Sequence, residues 1–128
     1  MEELLAGYAL NDGEICSIKL AVDYTSANNS ALRQASVDVL IRKKTADGKM
    51  QPCLLQIHLN GVRKIVINEE FDSRYYSDVV FKRVENGLWY LSLDPYGNAG
   101  EPHEEDNLVI VSEAVRIDEG VIQDRFLA

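Results

Sequence analysis

The chain has no apolar run approaching the ~20 residues that a membrane helix needs, only two cysteines, and almost no basic charge in its last third. Each shortage removes a class of protein. The missing apolar run removes a membrane-spanning helix. The first residues, Met1-Glu2-Glu3-Leu4-Leu5, carry acids where a secretory signal needs bases, so a cytoplasmic location is expected. Cys16 and Cys53 are too few for a disulfide framework and read as thiols. G-x-S-x-G, G-x-G-x-x-G, the P-loop and H-E-x-x-H are all missing, so no nucleophile elbow, phosphate cradle or zinc-protease helix is expected. With 13 bases against 21 acids the formal net charge is −8, which argues against nucleic acid as a partner, because Lys and Arg drive binding to phosphates.

What is present is an ordinary globular composition, 46% hydrophobic, over a length of 128 residues that suits one domain, 1–128, with one core. The charge is unevenly spread. From Asp94 to Ala128 nine acids stand against two bases, Arg116 and Arg125, so nearly all of the net charge lies there. The acids crowd at Glu101, Glu104, Glu105 and Asp106, directly after a stretch, Phe71 to Tyr96, that holds seven of the ten aromatics. This pairing points to a negative, aromatic-edged surface, and a cationic protein is the partner it fits.

Alternating apolar residues mark most of the chain as strand. Cys16, Ile18, Leu20, Val22 and Tyr24 share one face of the first, and Ala35, Val37, Val39 and Ile41 one face of the second. Asp47-Gly48 signals a turn into a third strand with Cys53, Leu55, Ile57 and Leu59 inward and His58 outward. Asn60-Gly61 lies where the register continues on odd positions, which predicts a bulge or bend rather than a hairpin. Residues 68–77 have no period and are expected to be a loop or one helical turn.

The pattern resumes at Val79 and Phe81 and turns at Asn86-Gly87 into Leu88 to Leu93, where Trp89 is expected in the core and Tyr90 and Ser92 on the outer face. After a Pro- and Gly-rich loop to about Asp106, a last strand from Leu108 to Ile117 switches from even to odd inward positions, predicting a bulge near Ser112-Glu113-Ala114. A short echo, Leu55-x-Ile57 to Val62-Arg63 against Leu108-x-Ile110 to Val115-Arg116, fits either an internal repeat or two bulged central strands. Only Glu2 to Leu10 is spaced for a helix. About seven short strands predict a mainly β protein, an antiparallel sandwich or strongly curved sheet with at most that N-terminal helix; an α+β fold is the alternative.

The candidate chemistry is thin. Asp94, Asn98 and Glu105 fall at positions 1, 5 and 12 of a calcium-loop frame, but Tyr96 stands at position 3 and Ala99 where the turn needs Gly, so no metal site is expected. His103 with Glu104 and Asp106 supplies too few ligands for a transition metal. His58 has no nucleophile beside it, and both thiols lie in core register without a basic neighbour. No catalytic residue and no cofactor is therefore expected, and the chain reads as a binding protein rather than an enzyme. Tyr90, Tyr96, Glu101, Glu104, Glu105 and Asp106 are the candidate partner-binding residues. The alternatives are a structural subunit forming a homo-oligomer through its aromatic face, or a small ligand-binding β domain that would need Ser92, Ser112 and Glu113 to converge.

The strings Leu10-Asn11-Asp12-Gly13-Glu14-Ile15, Ile57-His58-Leu59-Asn60-Gly61-Val62, and Asp106-Asn107-Leu108-Val109-Ile110 through Val115-Arg116-Ile117 resemble a set of small uncharacterised bacterial β-proteins, some assigned as immunity proteins of polymorphic toxin systems. The resemblance implies a cytoplasmic protein that binds and blocks a cognate toxin without chemistry of its own. It carries over no functional residues.

Overall fold

A computed structural model of the chain describes residues 5–26, 33–97 and 99–122. Six antiparallel strands, β1 (Tyr8–Val22), β2 (Arg33–Lys44), β3 (Met50–Val66), β4 (Val80–Arg83), β5 (Trp89–Asp94) and β6 (Asn107–Glu119), form one curled sheet in the order β1-β2-β3-β6-β5-β4. The fold is mainly β, as the alternation predicts, with six strands rather than seven. Among the described residues the only helical element is one 3-10 turn, Tyr24–Ser26, and no helix is long and apolar enough to cross a membrane. Where a helix is expected over 2–10, residues 2–4 lie outside the described set, 5–7 form a turn, and 8–10 already belong to β1.

The inward residues form the core where they are expected. Val37, Val39, Leu55, Ile57 and Leu59 are almost fully buried, and Leu91, Leu93 and Ile110 join them from the other half of the sheet. Asp47-Gly48 and Asn86-Gly87 make the two predicted turns, each with its glycine at positive φ. β3 and β6, the central pair, change faces at the same level. Leu59 opposite Val115 and Val62 opposite Ser112 both carry buried residues, and between them sits Gly61, at φ +68, across from Glu113. A Cβ on Gly61 would come within 2.9 Å of the Glu113 side chain, which ion-pairs with Arg63 at 2.6 Å. The expected bulges at Asn60-Gly61 and Ser112-Ala114 are thus one bend crossing two neighbouring strands in unbroken register, and the extra residue on β3 comes just after it, between Val62 and Lys64. The echo between Leu55–Arg63 and Leu108–Arg116 falls on these same strands, which end the two three-strand halves of a palindromic strand order.

β1 departs most from expectation. Its pairing with β2 slips between Ala9 and Glu14 and again between Ile15 and Ser17. Cys16 is the extra residue at the second slip, so Ile15 rather than Cys16 faces the core opposite Val39, and the Cys16 thiol is only half-buried. Along residues 12–15 the outer edge of β1 pairs with the incoming 74–77 segment: Asp12 N–H donates to Ser77 O at 2.7 Å, Tyr76 N–H to Gly13 O at 3.0 Å, and Ile15 N–H to Arg74 O at 2.6 Å. That segment runs on into β4, so it bridges the two edges of the curled sheet. Tyr76 is drawn into the core, and its ring lies so close to Gly13 that a Cβ there would meet the hydroxyl at 2.6 Å. Residues 68–77 contain no helical turn, and their other aromatics do not pack: Phe71 and Tyr75 are 87% and 67% exposed.

Candidate functional site

The acidic loop, residues 95–106, does not hang free. Val80, Ser92 and Val109 pair across β4, β5 and β6, and all three are buried although Val80 and Val109 lie outside the main core cluster. The loop covers this outer face of the sheet. Ser92 lies on the face opposite Trp89, as the alternation predicts, and is enclosed there. Its hydroxyl, fully buried, donates to Asn107 O at 2.7 Å. Tyr90, on the same face, is half-buried, and Trp89 is half-buried rather than enclosed, tilted against Phe81 at 5.7 Å.

One carboxylate organises the loop. Asp106 is 5% exposed, and its two oxygens accept the Tyr90 hydroxyl at 2.5 Å, the Tyr96 N–H at 2.7 Å and the His103 N–H at 2.9 Å. Its own N–H donates to His103 O at 3.0 Å, closing a tight turn. A buried carboxylate needs such donors. Burial pushes the Asp106 carboxyl upward, but the hydrogen bonds from Tyr90, Tyr96 and His103 outweigh it and hold the group below its ordinary value. The Tyr90 hydroxyl is raised, first by burial and then because it donates to this carboxylate. Among the expected partner-binding residues, then, Asp106 and the Tyr90 hydroxyl are spent on holding the loop.

The others face outward. Tyr96 is 61% exposed and stacks on the His103 ring, with centroids 4.5 Å apart. His103 Nδ1 accepts the Glu105 N–H at 3.0 Å, which ties the ring to the backbone. Glu101 is exposed and ion-pairs with Lys82 at 2.8 Å, so part of its charge is already met. Glu104 and Glu105 present exposed carboxylates. Beside them lies a shallow recess of about 250 Å³ lined by Lys64, Val66, Tyr90, His103, Glu104 and Val109. His103 was not singled out for this surface by its sequence. The available signal was its place three residues before Asp106, the spacing of a capped turn.

The remaining chemistry is sparse. Ser112 is fully buried and donates to Ala114 O at 3.2 Å, while Glu113 pairs with Arg63, so Ser92, Ser112 and Glu113 do not converge on a pocket. His58 contacts Asp118 at 3.2 Å. Cys16 and Cys53 are free thiols, both raised, chiefly by burial, and so poor nucleophiles. Asn98 of the calcium-loop frame lies outside the described residues. Among those described, no group of three or more His, Cys, Asp or Glu is placed to hold a metal ion.

The fold and the loop define an all-β protein with one strongly curled sheet and an ordered acidic loop on its outer face. Comparison with protein-family models, with curated proteins and with solved structures finds no match to this chain.

Proposed function

We propose that this protein is a non-catalytic binding module that grips a basic protein through the 95–106 loop, in the manner of an immunity-type inhibitor. The observation that carries this is the Asp106 latch: three donors fix the loop before any partner arrives, so Tyr96, His103, Glu104 and Glu105 form a surface with little ordering cost left. An aromatic pair flanked by carboxylates supplies an apolar anchor and a field that steers a cationic partner. Toxins that act on nucleic acids have basic active sites, and an acidic inhibitor complements them.

The test is affinity capture from a lysate of the source organism, comparing wild type with Glu104→Gln/Glu105→Gln. Asp106 is left intact, because neutralising it would loosen the loop and confuse charge with order. A basic protein is retained at low salt and released at high salt, and its association with the double variant is about tenfold slower. If the captured protein associates with wild type and variant at the same rate, the acidic loop is not the binding surface.

A further inference from the structure

Imidazole is the side chain whose ordinary change of charge falls between about pH 5 and about pH 8, and the acidic loop uses one as a fixed acceptor. His103 Nδ1 accepts the Glu105 N–H at 3.0 Å. A ring nitrogen that accepts carries no proton, so the neutral ring holds its hydrogen on Nε2. The rest of the residue is held as well. Its ring stacks on Tyr96 at 4.5 Å, its backbone N–H donates to the Asp106 carboxylate at 2.9 Å, and its carbonyl accepts the Asp106 N–H at 3.0 Å.

A second proton on the ring has one place to go. It enters at Nδ1, where it points at the Glu105 N–H, and two donors cannot share one hydrogen bond. The ring must turn away from Glu105, and with its backbone pinned to Asp106 it leaves the Tyr96 stack as it turns. The charges that meet it come from three elements. Within the loop they are the buried Asp106 carboxylate and the exposed Glu104 and Glu105; β3 contributes Lys64 and β5 the Tyr90 hydroxyl, both of which line the recess that His103 lines. These carboxylates receive an imidazolium, while the bond to Glu105 opposes it. Asp106 and Tyr90 keep their own charge states over this range, because the carboxyl titrates below its ordinary value and the hydroxyl above.

We infer that His103 is a pH-operated catch within the acidic loop: neutral, it holds Glu105 and Tyr96 in the ordered surface, and protonated, it releases the Glu105 N–H and unstacks from Tyr96 while the Asp106 latch stays closed. As regulation, this rests on the binding reading given above. Acid adds a positive charge to a face that attracts cations and undoes part of its order. The catch itself belongs to the chain alone, so no partner is needed to test it.

Nuclear magnetic resonance of the full chain from pH 8 down to pH 5 is the test. At pH 8 the ring nitrogen shifts of His103 show the Nε2–H tautomer, and on acidification the Glu105 amide and Tyr96 ring signals move with the midpoint of the His103 ring. Protection of the Glu105 amide, corrected for intrinsic exchange, falls about fivefold across that midpoint, as loss of one neutral hydrogen bond requires. His103→Asn sets a carboxamide oxygen in the place of Nδ1 and cannot titrate, so Glu105 stays protected at every pH. His103→Ala leaves it unprotected at every pH. Glu104→Gln/Glu105→Gln and His58→Gln both keep the step, which excludes the neighbouring carboxylates and the other imidazole as its source. An Nδ1–H tautomer at pH 8, a Glu105 amide that does not follow the His103 midpoint, or a step that survives in His103→Asn overturns the inference. Failure of the acidic loop to capture a basic protein would leave every one of these signals unchanged.

Discussion

Single buried polar groups decide much about this molecule, and two of them are opposites. Asp106 has three donors; the Tyr76 hydroxyl is buried with no hydrogen-bond partner among the described residues. Replacing Asp106 by Asn turns an amide donor toward the backbone N–H groups of Tyr96 or His103, which costs about 2–3 kcal/mol and loosens the loop. Urea unfolding measures the loss, and faster amide exchange at Tyr96 and His103 locates it. Because the folded carboxyl titrates below its ordinary value, its stabilising effect is complete above the unfolded value, near pH 4, and is lost as pH falls through the folded one. Asp106→Asn should therefore flatten the acid limb of the stability profile. Tyr76→Phe removes an unpaired hydroxyl and leaves the ring that fills the space against Gly13, so stability stays level or rises by up to about 1 kcal/mol. A large loss in the thermal midpoint would show that the hydroxyl is bonded after all.

At the scale of elements, the bend shared by β3 and β6 is the most exacting feature. Gly61→Ala forces a side chain into a left-handed position and against Glu113, and about 2 kcal/mol should be lost at unchanged denaturant slope. This bend was legible in the sequence because Asn60-Gly61 stands inside a run whose inward positions stay odd from Leu59 to Ile65, which excludes a hairpin there, and because the even register of Leu108 and Ile110 has turned odd by Val115. β2 and the two glycine turns were legible for the same reason, since each obeys a local rule. β1 was not. Its extra residue at Cys16 and its departure from β2 over residues 10–13 disrupt the alternation, and what is left near Tyr8 imitates helical spacing. The loop was legible as acidic and as a loop. That Asp106 turns inward while Glu104 and Glu105 stay out depends on Tyr90, which lies 16 residues away in the chain, and nothing local separates the three acids.

For the whole molecule, the curl of the sheet brings its two ends together, so that the acidic loop over β4 to β6 also lines a recess with Asn11 of β1. The palindromic strand order has a further consequence, for folding kinetics. Within each half the strands follow one another through connections that keep partners near in sequence. The β3–β6 seam and the bridge of residues 74–77 to β1 join backbone far apart in the chain, and the Glu119 carboxylate adds side-chain contacts to Tyr8 and Lys43 across the same gap. The loop-closure entropy of assembly is concentrated in those two joins. Each three-strand half is a natural unit to collapse first, and the rate of folding is then set by how often two preformed halves meet at the shared bend around Gly61 and Glu113.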